Sequence, residues 1–289
     1  MGQTKKKILP RNKDDRTTAN EMAKHYVKKI EKIRNELHLG KKEDWKIYVN
    51  SNNSSPNNVL TEFSLVDNLY LGKVIASMKN KTCNLDPLPT DIVKKLMCHL
   101  LPAICRLVNS CILESKFPDD LKTALVTPVI KDKLKDSEDF KNYRAITNLP
   151  FLSKILEQVL YLQLNNHIES NGMHCNFQSA YRKDHSCETS MIRMTGDIQT
   201  MIHKGKVVAV VLLDNSAAFD TVDHQVLLDR LEHDYCVKGA ALNLIRSYLD
   251  GRKFSVMINE EIGDSNDLCM ECLKGVFSVL CSIFFMLNQ

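Results

Sequence analysis

Apolar residues recur along this chain at two spacings, one helical and one extended. Met22, Tyr26, Ile30, Ile33 and Leu37 lie three or four residues apart, which predicts a helix from a cap at Asn20 to about Leu39, ended by Gly40. Residues 50–58 are almost all Asn, Ser and Pro and read as a linker. Beyond it, Leu65, Leu69, Val74 and Met78 predict a helix from Ser64 to Met78. A second helical stretch runs from about Thr90 to Glu114, with Pro102 expected to break or kink it. Ala124–Lys131 reads as a strand, placed at a sheet edge by its proline. Leu149–Glu169 and Cys187–His203 are amphipathic helices. Lys206–Leu213 is a nearly continuous β-branched and apolar run, the pattern of a strand buried on both faces. Helices at about Val222–Tyr235 and Ala240–Leu249 follow, then Gly251 and an alternating strand through Phe254, Val256 and Ile258. The mix predicts an α+β fold, with helices beside a mostly antiparallel sheet.

Composition adds limits. Hydrophobic residues are 44% and charged residues 26% of 289, the balance of a globular chain. No run reaches the ~18 apolar residues of a membrane-spanning helix, so no membrane is expected. The first residues lack the apolar centre of a signal peptide, which predicts an intracellular protein, cytoplasmic or nuclear and not secreted. The 10 cysteines are scattered singly through helical stretches and read as free thiols of a reducing compartment. The pair Cys269–Cys272 is a weak zinc signal without a second pair or a spaced His. Residues 1–50 hold 14 Lys and Arg against 7 Asp and Glu, while the remaining 239 hold 25 against 28. A basic start of this kind is either a solvated tail or a surface for nucleic acid. Residues 1–19 read as a disordered basic leader, and 20–58 as a helix and linker.

Asp214 stands directly after the apolar run, where a sheet strand would open to solvent. A carboxylate on such an edge is either a ligand for a hard cation such as Mg²⁺ or a cap on the loop that follows. Spacing alone leaves both open.

The surrounding residues narrow the choice. Val211–His224 resembles the LLDLSAAFDTVDH segment of reverse transcriptases from non-LTR (LINE-type, jockey-like) retrotransposons. Other blocks follow that family in order. Lys81–Thr90 resembles its S-x-G-x-D-x-I/L-P segment. Leu125–Lys131 with Lys141–Pro150 resembles its strand and NYRPISLL block. Phe151–Ile168 resembles the helix after it, and Gln178–Ser186 resembles Q-x-GFRxxHS. The resemblance covers roughly residues 20–289. It implies a partial right-hand polymerase fold: fingers over 59–205, an incomplete palm over 206–289, and an N-terminal helical leader.

The same resemblance implies roles. Asp214 would be the palm carboxylate that binds Mg²⁺ for two-metal nucleotidyl transfer. Phe219 would be the steric gate against a ribose 2′-hydroxyl. Lys131 and Arg144 would grip the triphosphate of the incoming nucleotide, Arg144 through its planar fork. Gln178 and Arg182 would meet an RNA template or DNA primer. Each side chain also has a plainer reading. Phe219 could be core, Lys131 a solvated strand end, and Arg144 a partner of Glu138 or Asp139. Asp220 and Asp223 read as a turn and a helix cap.

Some blocks depart from the family. The GVPQGSVLGP segment is reduced to Gly275–Ser282 with one Phe277, and Ala145 replaces a proline. Asp14-Asp15 and Asp119-Asp120 are the only Asp-Asp pairs, and neither follows an apolar strand. A truncated, catalytically incomplete chain is therefore expected, with RNA or RNA–DNA binding without catalysis as the alternative.

Overall fold

The Thr123–Ile130 segment (β1) is apolar enough to be covered on both faces, and it takes the middle of the sheet rather than an edge. The computed structural model describes residues 10, 14–36, 58–174, 179–180, 182, 184–212 and 222–267. On one side β1 pairs antiparallel with β2 (Tyr143–Asn148), from Leu125 opposite Asn148 to Ile130 opposite Tyr143. On the other side it pairs parallel with β3 (Lys253–Ile258), from Thr123 beside Lys253 to Val126 beside Val256. Two short strands, β4 (Glu261–Ile262) and β5 (Asn266–Asp267), pair antiparallel with β3.

The edge placement inferred from Pro128 is thus corrected, and the register explains how a proline is tolerated. Lys131 N–H donates to Asn142 O at 2.8 Å, so the odd-numbered amides of this hairpin face β2. The even-numbered ones, Pro128 included, face the β3 side. The ladder with β3 has already ended at Val126, so the missing Pro128 N–H leaves no partner unpaired.

Helices cover one face of the sheet. Ala124, Val126, Tyr143, Phe254, Val256 and Ile258 join a single core with residues of α1 (Asp15–Glu36), α2 (Asn68–Ser77), α4 (Met97–Glu114), α5 (Phe151–Ser170), α7 (His224–His233) and α8 (Gly239–Leu249). Each fully buried side chain of this type contributes about 1.5–3 kcal/mol. The short α3 (Thr90–Lys95) ends at Leu96, one residue before α4 begins. The break in this stretch therefore falls at Leu96, and Pro102 lies inside α4. Both Pro102 and Cys98, whose carbonyl loses its donor, are solvent-exposed. By length and composition α4 is apolar enough to cross a membrane, but Ile104, Cys105, Val108, Cys111 and Ile112 are buried in the core.

α1 begins at Asp15, five residues before the expected cap. Asp14 supplies the signal: its carboxylate accepts from Thr17 N–H at 3.0 Å and Thr17 Oγ1 at 2.6 Å. The helix lies across β3 and β4. Arg16 and Asn20 bind the Asp264 carboxylate at 3.0 and 2.8 Å, and Asn20 Oδ1 accepts the Asp264 N–H at 2.7 Å. Gly263 permits this approach, because a Cβ there would lie 2.6 Å from Asn20 Oδ1 and 3.1 Å from the Ala19 Cβ. Deeper in, Tyr248 on α8 donates its hydroxyl to the buried Glu157 of α5. Its ring carries the buried Arg252 guanidinium at 4.4 Å, and Arg252 Nη1 donates to Tyr248 O at 3.0 Å. These contacts fasten α5, α8 and the start of β3 together.

The expected buried strand at Lys206–Leu213 is not observed over its described residues. Residues 206–212 form no strand, and Val207, Val211 and Leu212 are 100%, 77% and 84% exposed. No described strand pairs with them, and an unpaired extended segment has no ladder to hold it. α6 (Cys187–His203), which precedes them, starts with a capping box between Ser186 and Thr189 but buries no residue.

Asp86 ties the 83–86 turn to α5. Its carboxylate accepts from Cys83 N–H at 2.8 Å and from Phe151 N–H, in the first turn of α5, at 2.7 Å. Asp86→Ala is expected to cost about 1–2 kcal/mol, the usual loss for a capping carboxylate, read as a lower urea midpoint with unchanged m-value.

Candidate functional site

The face of the β1–β2 hairpin turned away from the helices is open. Leu125, Thr127 and Val129 of β1 lie on it, opposite Asn148, Ile146 and Arg144 of β2. Val129 is 43% and Ile146 47% exposed, unlike the buried residues of the opposite face. Lys131 follows two residues after Val129 and returns to this open face. It is therefore the diagonal neighbour of Arg144, within reach of a shared ligand.

The inner end of this face is closed by the turn that Asp86 holds. Asn148 Nδ2 donates to Thr82 O at 2.9 Å, and Lys154 Nζ donates to Asn148 Oδ1 at 2.6 Å. Cys83, Leu125 and Met257 form a small second core beneath the turn. Burial pushes the Cys83 thiol up and the Lys154 ammonium down. Thr82, Asp86, Asn148 and Lys154 were not singled out by sequence reasoning. Their partners lie up to 66 residues away, and no local spacing signals such contacts.

At the outer end the 131–142 loop is held by its own side chains. Asp132, Asp136 and Asp139 accept from the backbone N–H of Leu134, Glu138 and Lys141 at 3.1, 2.9 and 3.0 Å. Lys131 Nζ donates to Lys141 O at 2.6 Å, a neutral partner. The Lys131 ammonium is held below its ordinary value, first by partial burial and then by Lys29, Lys135 and Arg144, with Asp139 opposing. Among the described residues no carboxylate makes an ion pair with Lys131 or Arg144, so the expected alternative of an Arg144 pair with Glu138 or Asp139 is not seen.

Of the other expected site residues, Arg182 is half-buried, with its carbonyl accepting from His185 N–H at 3.3 Å and its charge felt by His174. Asp214, Phe219, Gln178 and Asp220 lie outside the described residues. Asp223 caps α7, accepting from Gln225 and Val226 N–H at 2.9 and 3.2 Å. Asp119 pairs with the buried Lys122 at 2.7 Å. Among the described residues no three His, Cys, Asp or Glu side chains converge to hold a metal ion.

Residues 131–267 match the family model for reverse transcriptase (RNA-dependent DNA polymerase), a span that starts at Lys131. Among curated proteins, the chain is 24% identical over 202 residues to the probable RNA-directed DNA polymerase from transposon X-element of Drosophila melanogaster, covering 70% of this chain and 22% of that protein. It is 29% identical over 171 residues to the RNA-directed DNA polymerase from mobile element jockey of Drosophila funebris, covering 57% of this chain and 18% of that one. A similar likeness, 24% over 178 residues, extends to the polymerase from transposon BS of Drosophila melanogaster. Residues 131–267 are therefore similar to reverse transcriptases, and the likeness among curated proteins is to RNA-directed DNA polymerases of transposons. It spans about a fifth of the length of these relatives.

The matched span begins at the outer end of the β1–β2 hairpin, so the hairpin and the turn beneath it bridge matched and unmatched residues. His25 of α1 packs edge-on against Phe140 of the loop, ring centres 5.9 Å apart. Burial first, then the nearby Lys29, hold His25 below its ordinary pKa. The unfolded chain therefore binds this proton more readily. Stability from the neutral ring is complete above about pH 6.5 and declines as pH falls below it. The thermal midpoint should drop less between about pH 7 and 5 in His25→Gln than in the parent.

Proposed function

We propose that this domain takes part in RNA-directed DNA synthesis, with the β1–β2 hairpin as the surface that grips the triphosphate of the incoming deoxynucleotide. What supports the reading most is one arrangement: Lys131 and Arg144 are diagonal neighbours on an open sheet face, and neither is neutralised by a described carboxylate. A strand-borne guanidinium offers two parallel N–H donors to phosphate oxygens, and a nearby ammonium adds a point charge. The sheet holds both before the ligand arrives, which lowers the ordering cost of binding.

The remaining roles follow the family resemblance. Residues 59–205 would be a fingers-like region and 206–289 an incomplete palm, preceded by a helix and linker over 20–58. Gln178 and Arg182 would meet the RNA template or DNA primer. Phe219 would exclude a ribose 2′-hydroxyl. Asp214 would hold Mg²⁺, which when bound neutralises charge on the phosphoryl group being transferred.

Arg144→Ala should weaken deoxynucleoside triphosphate binding about 10- to 100-fold, the worth of a charge-assisted hydrogen bond. Arg144→Lys should recover only part, because it keeps the charge and loses the fork. Equilibrium binding of a fluorescent deoxynucleoside triphosphate reads this directly, and equal affinity in the parent and Arg144→Ala would overturn the hairpin reading. Any primer extension by the chain should vanish in Asp214→Asn; extension that survives removes Asp214 from the metal role.

A further inference from the structure

We propose that the phosphate-binding surface of the hairpin continues onto α1, where Lys28 and Lys29 join Lys131 and Lys135 in one track for the phosphodiester backbone of a single-stranded nucleic acid. The inference rests on the hairpin reading above and extends it to a helix that lies outside the matched span of 131–267.

Packing fixes where α1 stands. Met22, Ala23, Tyr26 and Ile30 are buried, which turns the side bearing Lys24, Lys28, Lys29 and Lys32 to solvent. Tyr26 lies near Tyr143 of β2, and His25 meets Phe140. The middle of the helix is thereby held against the root of the 131–142 loop. Lys29 is one turn beyond His25 on the same side, so it emerges beside the loop. Its charge is felt at both His25 and Lys131, as expected for a cation standing between them.

The cluster has no counter-charge in ion-pair contact. Among the described residues no carboxylate pairs with Lys28, Lys29, Lys131, Lys135 or Arg144. Three acids of the adjoining loop, Asp132, Asp136 and Asp139, are turned back onto amides of that loop. Cations gathered from two elements more than 100 residues apart add their fields into one positive patch, which attracts a polyanion more strongly than an isolated solvated lysine does. A nucleic-acid strand is the polyanion whose repeating phosphates match a line of separate cations, and it shares its chemistry with the triphosphate proposed for the hairpin.

The test is binding of a fluorescein-labelled oligouridylate to the full chain, followed by anisotropy between about 50 and 200 mM salt. The double variant Lys28→Gln/Lys29→Gln should flatten the plot of log affinity against log salt by about 1.4, roughly 0.7 for each lost single-strand contact. Its thermal midpoint should stay unchanged, since both side chains are exposed. Lys73→Gln, on the exposed side of α2, should leave the slope as it was. An unchanged slope in the double variant, with a flattened one in Lys131→Gln, would overturn the α1 track and leave the hairpin reading standing. Equal flattening by Lys73→Gln would reduce the effect to net charge and overturn the track as well. Absence of salt-dependent binding by the parent chain would remove the nucleic-acid reading of both.

Discussion

Everything near the candidate site depends on one strand being paired on both sides. β1 carries the hairpin to β2 through its odd-numbered amides and the body of the domain to β3 through its even-numbered ones. The two ladders overlap only at Leu125 and Val126. Up to there β1 is paired on both sides; beyond it the strand leaves β3 and continues with β2 alone, one face still packed on the core through Pro128, Ile130 and Tyr143. A proline at 128 suits that departure, because it removes the amide that would otherwise invite a further partner. The outcome is a two-stranded arm backed by the core on one face and open on the other, with its cations at the outer end.

The root is stiff for reasons that can be named. Arg252, Tyr248 and Glu157 link the start of β3 to α8 and α5 inside the core. Asp86 joins α5 to the turn under the hairpin, and Asn148 and Lys154 connect that turn to β2. α1 packs on the helix-covered face beside the hairpin, tied at its start to Asp264 and at its middle to Phe140. The contacts that hold the hairpin thus lie mostly in the interior, while the charges of Lys131 and Arg144 stand towards its outer end. This division lets the arm bear unpaired cations without destabilising the core, since exposed like charges repel only weakly in high dielectric.

Much of this was legible from periodicity. α6 was placed at its observed bounds, and α5 and α8 within about two residues. What failed did so for physical reasons. The start of α1 was missed because Asp14 and Asp15 were read as part of a polar leader, whereas Asp14 caps the helix through Thr17. A proline in a strand signals an edge, but only one side of a strand loses its donor at a given residue, and register decides which. The run at 206–212 has the composition of a buried strand and none of the neighbours one needs. For the site, the family resemblance singled out Lys131 and Arg144, while Asp86 and Lys29 stayed hidden. Their importance lies in contacts across 65 and about 100 residues, which a linear pattern does not carry.

The central claim is that the open face of the hairpin receives a nucleotide's phosphates. Photo-crosslinking with an azido-substituted deoxynucleoside triphosphate, followed by mass spectrometry of the labelled peptides, tests it most directly. The account predicts label on peptides within 123–148, lost when unmodified deoxynucleoside triphosphate competes and retained against an equal concentration of the nucleoside lacking phosphates. Competed label confined to peptides outside the hairpin and the turn beneath it would contradict the account.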